Sequence, residues 1–342
     1  WTRRIRQFFA GFLTRKDSVK SASPLMCVVE KKGDDGLKHV ILGGAGFLGS
    51  NLANRLLADG ASVCVFDRDG ANFSRLCAPQ PSNLEIVKGN FDSQYPFAQL
   101  FEPGDVVYHL VCTTNPGLSN RDMMGEIQEN VLPTLYLLDA CVAKKVSKVV
   151  FISSGGTVYG RTNMEPFRET DATNPICSYG VQKLAIEKYL QIFYHISGLD
   201  YRIVRLSNPY GPFQNPNGGL GAVTAFTYRV MQDQPVTVYG DGTVTRDYIY
   251  VDDAVDGIVR ITQCNNGERL FNLGSGKGVT LTEVLQAVEC ALGKKANVQY
   301  LPARNVDVPY NVLDISRYRQ IVSGFNPTSL EEGIRLLAKS LQ

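Results

Sequence analysis

From residue 38 onward the chain alternates between two apolar patterns. Short continuous runs read as strands buried on both faces: residues 38–42 (KHVIL), 62–66 (SVCVF), 84–89 (LEIVKG), 105–111 (DVVYHLV) and 148–153 (KVVFIS). In other stretches apolar residues return every three or four positions, which predicts helices over 47–59, 119–145 and 176–197. Gly125 and Pro133 predict that the second of these is irregular. Strands alternating with helices predict a parallel, doubly wound α/β sheet. Past residue 205 the elements shorten and Gly and Pro punctuate them, which predicts a smaller mixed α/β domain covering the crevice of the sheet. The boundaries drawn are 1–36 for a tail or linker, 37–205 for the first domain and 206–342 for the substrate domain, with 243–263 and 270–273 returning to the first.

The first strand runs directly into Gly43-Gly-Ala-Gly-Phe-Leu-Gly49 and then into a helix, the order a dinucleotide site needs. Gly43 and Gly44 allow a tight turn, Gly46 lets backbone approach a pyrophosphate, and Gly49 lets helix and strand pack closely. Phe47 and Leu48 open the helix whose N-terminal N–H groups would face the phosphates. The second strand ends in Asp67, placed to bind a ribose 2′-hydroxyl and so to prefer NAD over NADP, while the neighbouring Arg68 is read as pointing to solvent or adenine. The fold is accordingly expected to be Rossmann-like, with NAD as cofactor.

Tyr179 and Lys183, in the run SYGVQK, lie one helical turn apart on one face. An ammonium beneath a phenol favours the phenolate, so the pair suits a base that takes a proton from a hydroxyl while carbon is oxidised to a ketone. The spacing alone is weak, since any amphipathic helix can show it; the glycine loop upstream raises it.

With these motifs in order, the chain resembles the extended short-chain dehydrogenase/reductases, in particular their nucleotide-sugar epimerase and dehydratase branch, and is most like the UDP-glucose 4-epimerase type. The resemblance runs from about residue 38 to the end and rests on GGAGFLG, Asp67, NFD at 90–92, VYHL at 107–110, Asn130, SSGGTVYG at 153–160, YGVQK, SNPYGP at 207–212 and RDYIYVDD at 246–253. It implies a tightly held NAD and a UDP-sugar substrate. By it Asn90 and Leu110 line the cofactor cleft, Asp92 meets the adenine, and Asn130 supports the lysine through backbone or water. The plain alternatives are a loop-capping Asp92 and a helix asparagine; for His109 the plain reading, a satisfied strand histidine, is taken. On the substrate side it implies Asn208 and Arg246 at the diphosphate, residues 220–226 as a cap and Val238 along the uracil, with Arg304 joining the diphosphate and Asp307 on the ribose. Arginine's planar fork suits phosphate without any resemblance; the alternative for Arg246 is an ion pair with Asp247.

One position departs from the family's pattern: Gly155 stands where a catalytic Ser or Thr is usual. Ser154 and Thr157 are the available substitutes, with Thr157 preferred. Related 4,6-dehydratases keep an Asp-Glu pair where this chain has Gly156 and Thr157, so the loop favours C4 epimerisation through a 4-keto sugar. The alternatives are a 4,6-dehydratase, a uronate epimerase, or a binding protein that has lost the reaction.

Composition changes little. The 342 residues, 44% hydrophobic, suit a large core, and a net charge of +2 leaves no nucleic-acid footprint. Eight dispersed cysteines without CxxC spacing and three histidines suggest reduced thiols in a cytoplasmic protein and no metal site. Residues 1–13 are basic and aromatic; a passive tail is preferred there over membrane contact or a transit-like peptide. In the resembling family the 119–145 and 176–197 helices build a four-helix dimer interface, so a homodimer is expected.

Overall fold

The computed structural model describes residues 37–114, 116–117, 119–160, 164–218, 221–303 and 308–342. The tail, Arg304 and Asp307 lie outside them, as does part of the expected 220–226 cap.

Seven parallel strands form the main sheet: β1 (Lys38–Leu42), β2 (Ser62–Asp67), β3 (Leu84–Lys88), β4 (Val106–His109), β5 (Lys148–Ser154), β6 (Tyr201–Leu206) and β10 (Leu270–Leu273). Their order is β10-β6-β5-β4-β1-β2-β3, so the order in which strands are added reverses between β1 and β4 and opens a crevice at their C-terminal ends. Every residue of β4 and β6 is buried, which explains why such strands read as apolar runs without alternation. On one face α1 (Phe47–Ala58) and α5 (Val251–Gln263) pack through Leu52, Leu56, Ala254 and Ile258. On the other, α2 (Leu132–Ala143) and α3 (Ser178–Ser197) contribute Leu137, Leu138, Ile186 and Leu190.

The long helix expected over 119–145 is broken. A single turn, Met123–Glu126, passes through a π-helical segment, Ile127–Val131, before α2 begins with Pro133 in its first turn, where a missing N–H costs nothing. No helix among the described residues is long and apolar enough to cross a membrane.

The remainder builds a second lobe. β9 (Thr245–Tyr250) is flanked by β7 (Asn208–Tyr210), β11 (Gly278–Thr280) and β13 (Tyr310–Asn311), while β8 (Val236–Tyr239) pairs with β12 (Val298–Leu301). Against these lie α4 (Ala222–Met231), α6 (Leu281–Leu292) and α8 (Leu330–Ser340), around a core that includes Phe226, Val238, Tyr248, Val284 and Leu337; the short α7 (Ser316–Ile321) packs beside β10. Thus β10 joins the main sheet through β6, whereas β9 belongs to the small one.

Candidate active site

The turn after β1 is shaped by two glycines. Gly43 has a φ of +82°, and a side chain there would crowd Val111 N at 3.2 Å, so the turn lies against the chain leaving β4. A Cβ on Gly49 would overlap the Gly43 carbonyl oxygen. Helix α1 then begins behind Gly46 with no side chain capping it, which leaves its first N–H groups directed at the crevice. Phe47 and Leu48 are half-buried beneath this end. Asp67 Oδ2 accepts from Ala45 N–H at 3.0 Å and Oδ1 from Arg68 N–H at 2.9 Å, which holds a carboxylate at the lip of the loop, while the Arg68 side chain is exposed. A bare helix start, a cradle that a Cβ would fill and a fixed carboxylate together fit a dinucleotide.

Around this cradle the other cofactor candidates divide. The Leu110 N–H donates to Leu42 O at 3.0 Å and closes the crevice floor. Asn90 is exposed at the rim. Asp92, also exposed, caps its own turn by accepting from Gln94 N–H (2.8 Å) and Tyr95 N–H (3.0 Å) through Oδ1. Asn130 is buried within the π-helical turn. Its Oδ1 accepts from Thr113 N–H at 2.9 Å and its Nδ2 donates to Glu126 O at 3.0 Å, fastening the loop after β4 to the π-helical turn.

Tyr179 and Lys183 stand in the first turns of α3, above the C-terminal end of β5. The buried Lys183 Nζ donates to Ile152 O at 2.9 Å and lies 5.7 Å from the centre of the Tyr179 ring. The Ser154 hydroxyl lies on the phenol side of Tyr179, where it favours the ionised form. Burial nonetheless dominates: it pushes the phenol well above its ordinary value, with Cys112 and Cys177 adding to the effect and Ser154 opposing it. Burial likewise pulls the Lys183 ammonium down, against the neighbouring Cys112 and Glu187. Burial thus opposes the charged form of both members of the pair.

The loop after β5 sets the candidates for the missing hydroxyl in different surroundings. A Cβ on Gly155 would lie 2.6 Å from Leu313 Cδ1 and 3.2 Å from Arg205 O, so this position faces packed interior, where Asn311 Nδ2 donates to the Gly155 carbonyl at 3.1 Å. The preferred substitute, Thr157, has its Oγ1 buried without a hydrogen-bond partner among the described residues. Ser154 is the hydroxyl beside the phenol. At Gly156 the nearest atom to an added Cβ is Ser154 Oγ, at 3.8 Å, which leaves open space beside that hydroxyl.

His109 is buried, and its Nε2 meets Thr134 Oγ1 at 2.8 Å. Thr134 gives its only hydroxyl proton to Asn130 O at 2.6 Å, so His109 Nε2 must carry the proton of that contact. Nδ1 is then a buried acceptor with no partner among the described residues, and the strand histidine is only half satisfied. Burial, helped by nearby Lys183, pulls the ring down to about 3, and it stays neutral.

In the second lobe Asn208 Nδ2 donates to Asp247 O at 2.9 Å, joining β7 to β9. The Asp247 carboxylate is buried and accepts from Ser275 N–H and Oγ–H (both 2.8 Å) and from Gly276 N–H (3.1 Å). Strand alternation puts Arg246 on the opposite face of β9 from that carboxylate, against the ion-pair alternative. Val238 has its side chain in the core of the lobe, so only its backbone is available to a base. Sequence reading passed over Ser119, Asn120 and Glu126, which bond to the start of α3; a buried acid inside MMGEIQENV was the available signal.

A glycine cradle at the sheet's switch point, with a tyrosine, a lysine and a serine converging at the end of β5, is the arrangement of an extended short-chain dehydrogenase/reductase. The model of the NAD dependent epimerase/dehydratase family matches residues 39–274, and the chain belongs to that family. It is an enzyme of this family, and its cofactor is NAD. The UDP-glucose 4-epimerase of Mycolicibacterium smegmatis is 33% identical over 303 residues, covering 87% of this chain and 96% of the relative. UDP-glucuronic acid decarboxylase 2 of Arabidopsis thaliana is 31% identical over 316 residues, covering 90% and 68%. Among solved structures, the UDP-glucose 4-epimerase of Thermotoga maritima with UDP-glucose superposes with a TM-score of 0.82 at 31% identity, covering 89% of this chain and 98% of that one.

Proposed function

We propose that the protein interconverts the C4 epimers of a UDP-hexose through a transient 4-keto sugar. The observation that carries this reading is Lys183, anchored on Ile152 O and 5.7 Å from the centre of the Tyr179 ring, with the Ser154 hydroxyl on the phenol side. Tyr179 Oη takes the proton of the sugar's C4 hydroxyl, Ser154 Oγ holds that hydroxyl in line, and Lys183 contributes the positive field that favours the phenolate. NAD, when bound, supplies a reversible hydride acceptor and a positive charge beside the phenol. Turning the keto sugar over presents its other face, so that return of hydride to C4 and of the proton to its oxygen would give the inverted alcohol.

Positions 156 and 157 hold Gly and Thr, so the loop carries no carboxylate for the further proton transfers of dehydration. The names of the Mycolicibacterium and Thermotoga relatives support epimerisation, and that of the Arabidopsis relative makes uronate chemistry the second reading. Arg246, with Arg304, is assigned to the diphosphate, Asp307 to the uridine ribose, and Asn208 and the backbone at Val238 to its surroundings.

The test is an NMR time course of the purified protein, without added NAD, on UDP-galactose, UDP-N-acetylgalactosamine and UDP-glucuronate. Appearance of a C4 epimer, abolished by Tyr179→Phe, is expected and names the sugar. A decarboxylated or 4-keto-6-deoxy product, or no turnover even with NAD supplied, would overturn the reading.

A further inference from the structure

We propose that Glu126 is a positioning residue for Tyr179; the inference rests on Tyr179 being the base of the reaction above. Helix α3 begins behind Cys177, which provides no side-chain cap hydrogen bond. The N–H groups of its first turn are met from outside instead. Tyr179 N–H donates to Ser119 Oγ at 2.6 Å, and Ser178 N–H donates to Asn120 Oδ1 at 2.7 Å, both acceptors lying on the loop that follows β4.

Glu126 ties these two segments together. It is 5% exposed, and its Oε2 accepts from Ser178 Oγ (2.5 Å), Gln182 Nε2 (2.5 Å) and Ser119 Oγ (3.5 Å). Because the single Ser119 proton is directed at the carboxylate, a lone pair of the same oxygen is left for the Tyr179 N–H. The residues bracketing Tyr179 on its own helix, Ser178 and Gln182, hang from one oxygen atom. A carboxylate at a helix N-terminus is also favoured by the helix dipole. The latch is held in turn from behind, where Asn130 Nδ2 donates to Glu126 O at 3.0 Å within the π-helical turn. Removing the carboxylate releases the first turn of α3 and lets the phenol drift from its place over Lys183 and Ser154. Displacing a reacting group by about 1 Å can cost on the order of a hundredfold in rate.

The test compares Glu126→Ala, Glu126→Gln and Ser119→Ala with the parent enzyme in steady-state epimerisation, in bound NAD released on denaturation, and in hydrogen exchange of the amides at 178–182. The expected result for Glu126→Ala is a fall in kcat of about tenfold or more, with KM and NAD content unchanged, because positioning acts on the transition state. Glu126→Gln, whose amide oxygen can still accept from Ser178 and Gln182, should recover most of the loss. Ser119→Ala, which removes the acceptor of the Tyr179 N–H and only the longest of the three contacts to Glu126, should lose less and serves if Glu126→Ala does not fold. An unchanged kcat, or a fall matched by loss of NAD and of thermal stability, would overturn the proposal. If the parent enzyme converts no UDP-sugar, the functional reading has failed. The latch is then decided by exchange alone: faster exchange at 178–180 in the variants supports it, and unchanged exchange sinks it.

Discussion

A hydroxyl written back into position 155 would not restore anything. Leu313 is fully buried and its Cδ1 would meet the new Cβ at 2.6 Å, so Gly155→Ser must overpack the interface between the lobes. The expected cost is about 1–3 kcal/mol, read as a lowered denaturation midpoint, with no gain in kcat. Two alanine or valine variants separate the remaining hydroxyls. Ser154→Ala should lower kcat by roughly a hundredfold, the scale of a hydrogen bond made to a reacting group, whereas Thr157→Val should leave kcat close to that of the parent. A large loss in Thr157→Val with little in Ser154→Ala would return the assignment to Thr157. Spacing identified the loop but not its orientation: all four residues from 154 to 157 are near Tyr179 by sequence, and only the packing of Leu313 and Arg205 shows that position 155 faces the interior.

At the scale of elements, β4 and α2 are joined by the neutral His109. Its ring sits near 3 because burial, and then Lys183, disfavour the cation, so the folded state declines a proton that the unfolded chain accepts below the ordinary histidine value. The unfolded state binds more protons across that window, and stability is therefore present above about pH 6.5 and lost as pH falls toward 3. The ceiling of this effect is about 5 kcal/mol. Thermal melts of wild type against His109→Gln between pH 6.5 and 4 should show a shallower decline in the variant; parallel curves would refute it. Buried Asp247, raised by desolvation, acts with the opposite sign, which is why slopes are compared rather than midpoints. Strands were the most legible elements, because burial on both faces leaves a continuous apolar run. The irregularity expected in 119–145 takes the form of a π-helical turn, which keeps apolar residues near helical spacing while it shifts their faces.

For the whole molecule, the notable surface is the outer side of the 123–136 segment and of α3. Met124 is 71% exposed, Val181 52% and Ile196 69%, on two neighbouring elements. We expect these faces to meet their counterparts in a second copy, as a four-helix interface between identical subunits. Light scattering coupled to gel filtration should give a dimer, and Val181→Glu with Ile196→Glu should give a monomer; a parent protein that is monomeric at working concentration would remove the interface. The Glu126 latch lies directly beneath this surface, so the monomeric variant is also a check on whether assembly steadies Tyr179.

What the order of residues determined by itself was local: which runs are buried on both faces, where a turn excludes every side chain but glycine, and that a tyrosine and a lysine share one helical face. These follow from backbone geometry within a few residues. Four matters depended on contacts between residues far apart in the chain. Residues 270–273 complete the main sheet while 245–250 build the second. Position 155 faces Leu313 in the packed interior and not the crevice. A carboxylate more than fifty positions upstream of Tyr179 holds its helix in place. Burial, which no window of sequence measures, opposes the charged forms of both Tyr179 and Lys183, because the low polarity around them is made by strands and helices from every part of the fold.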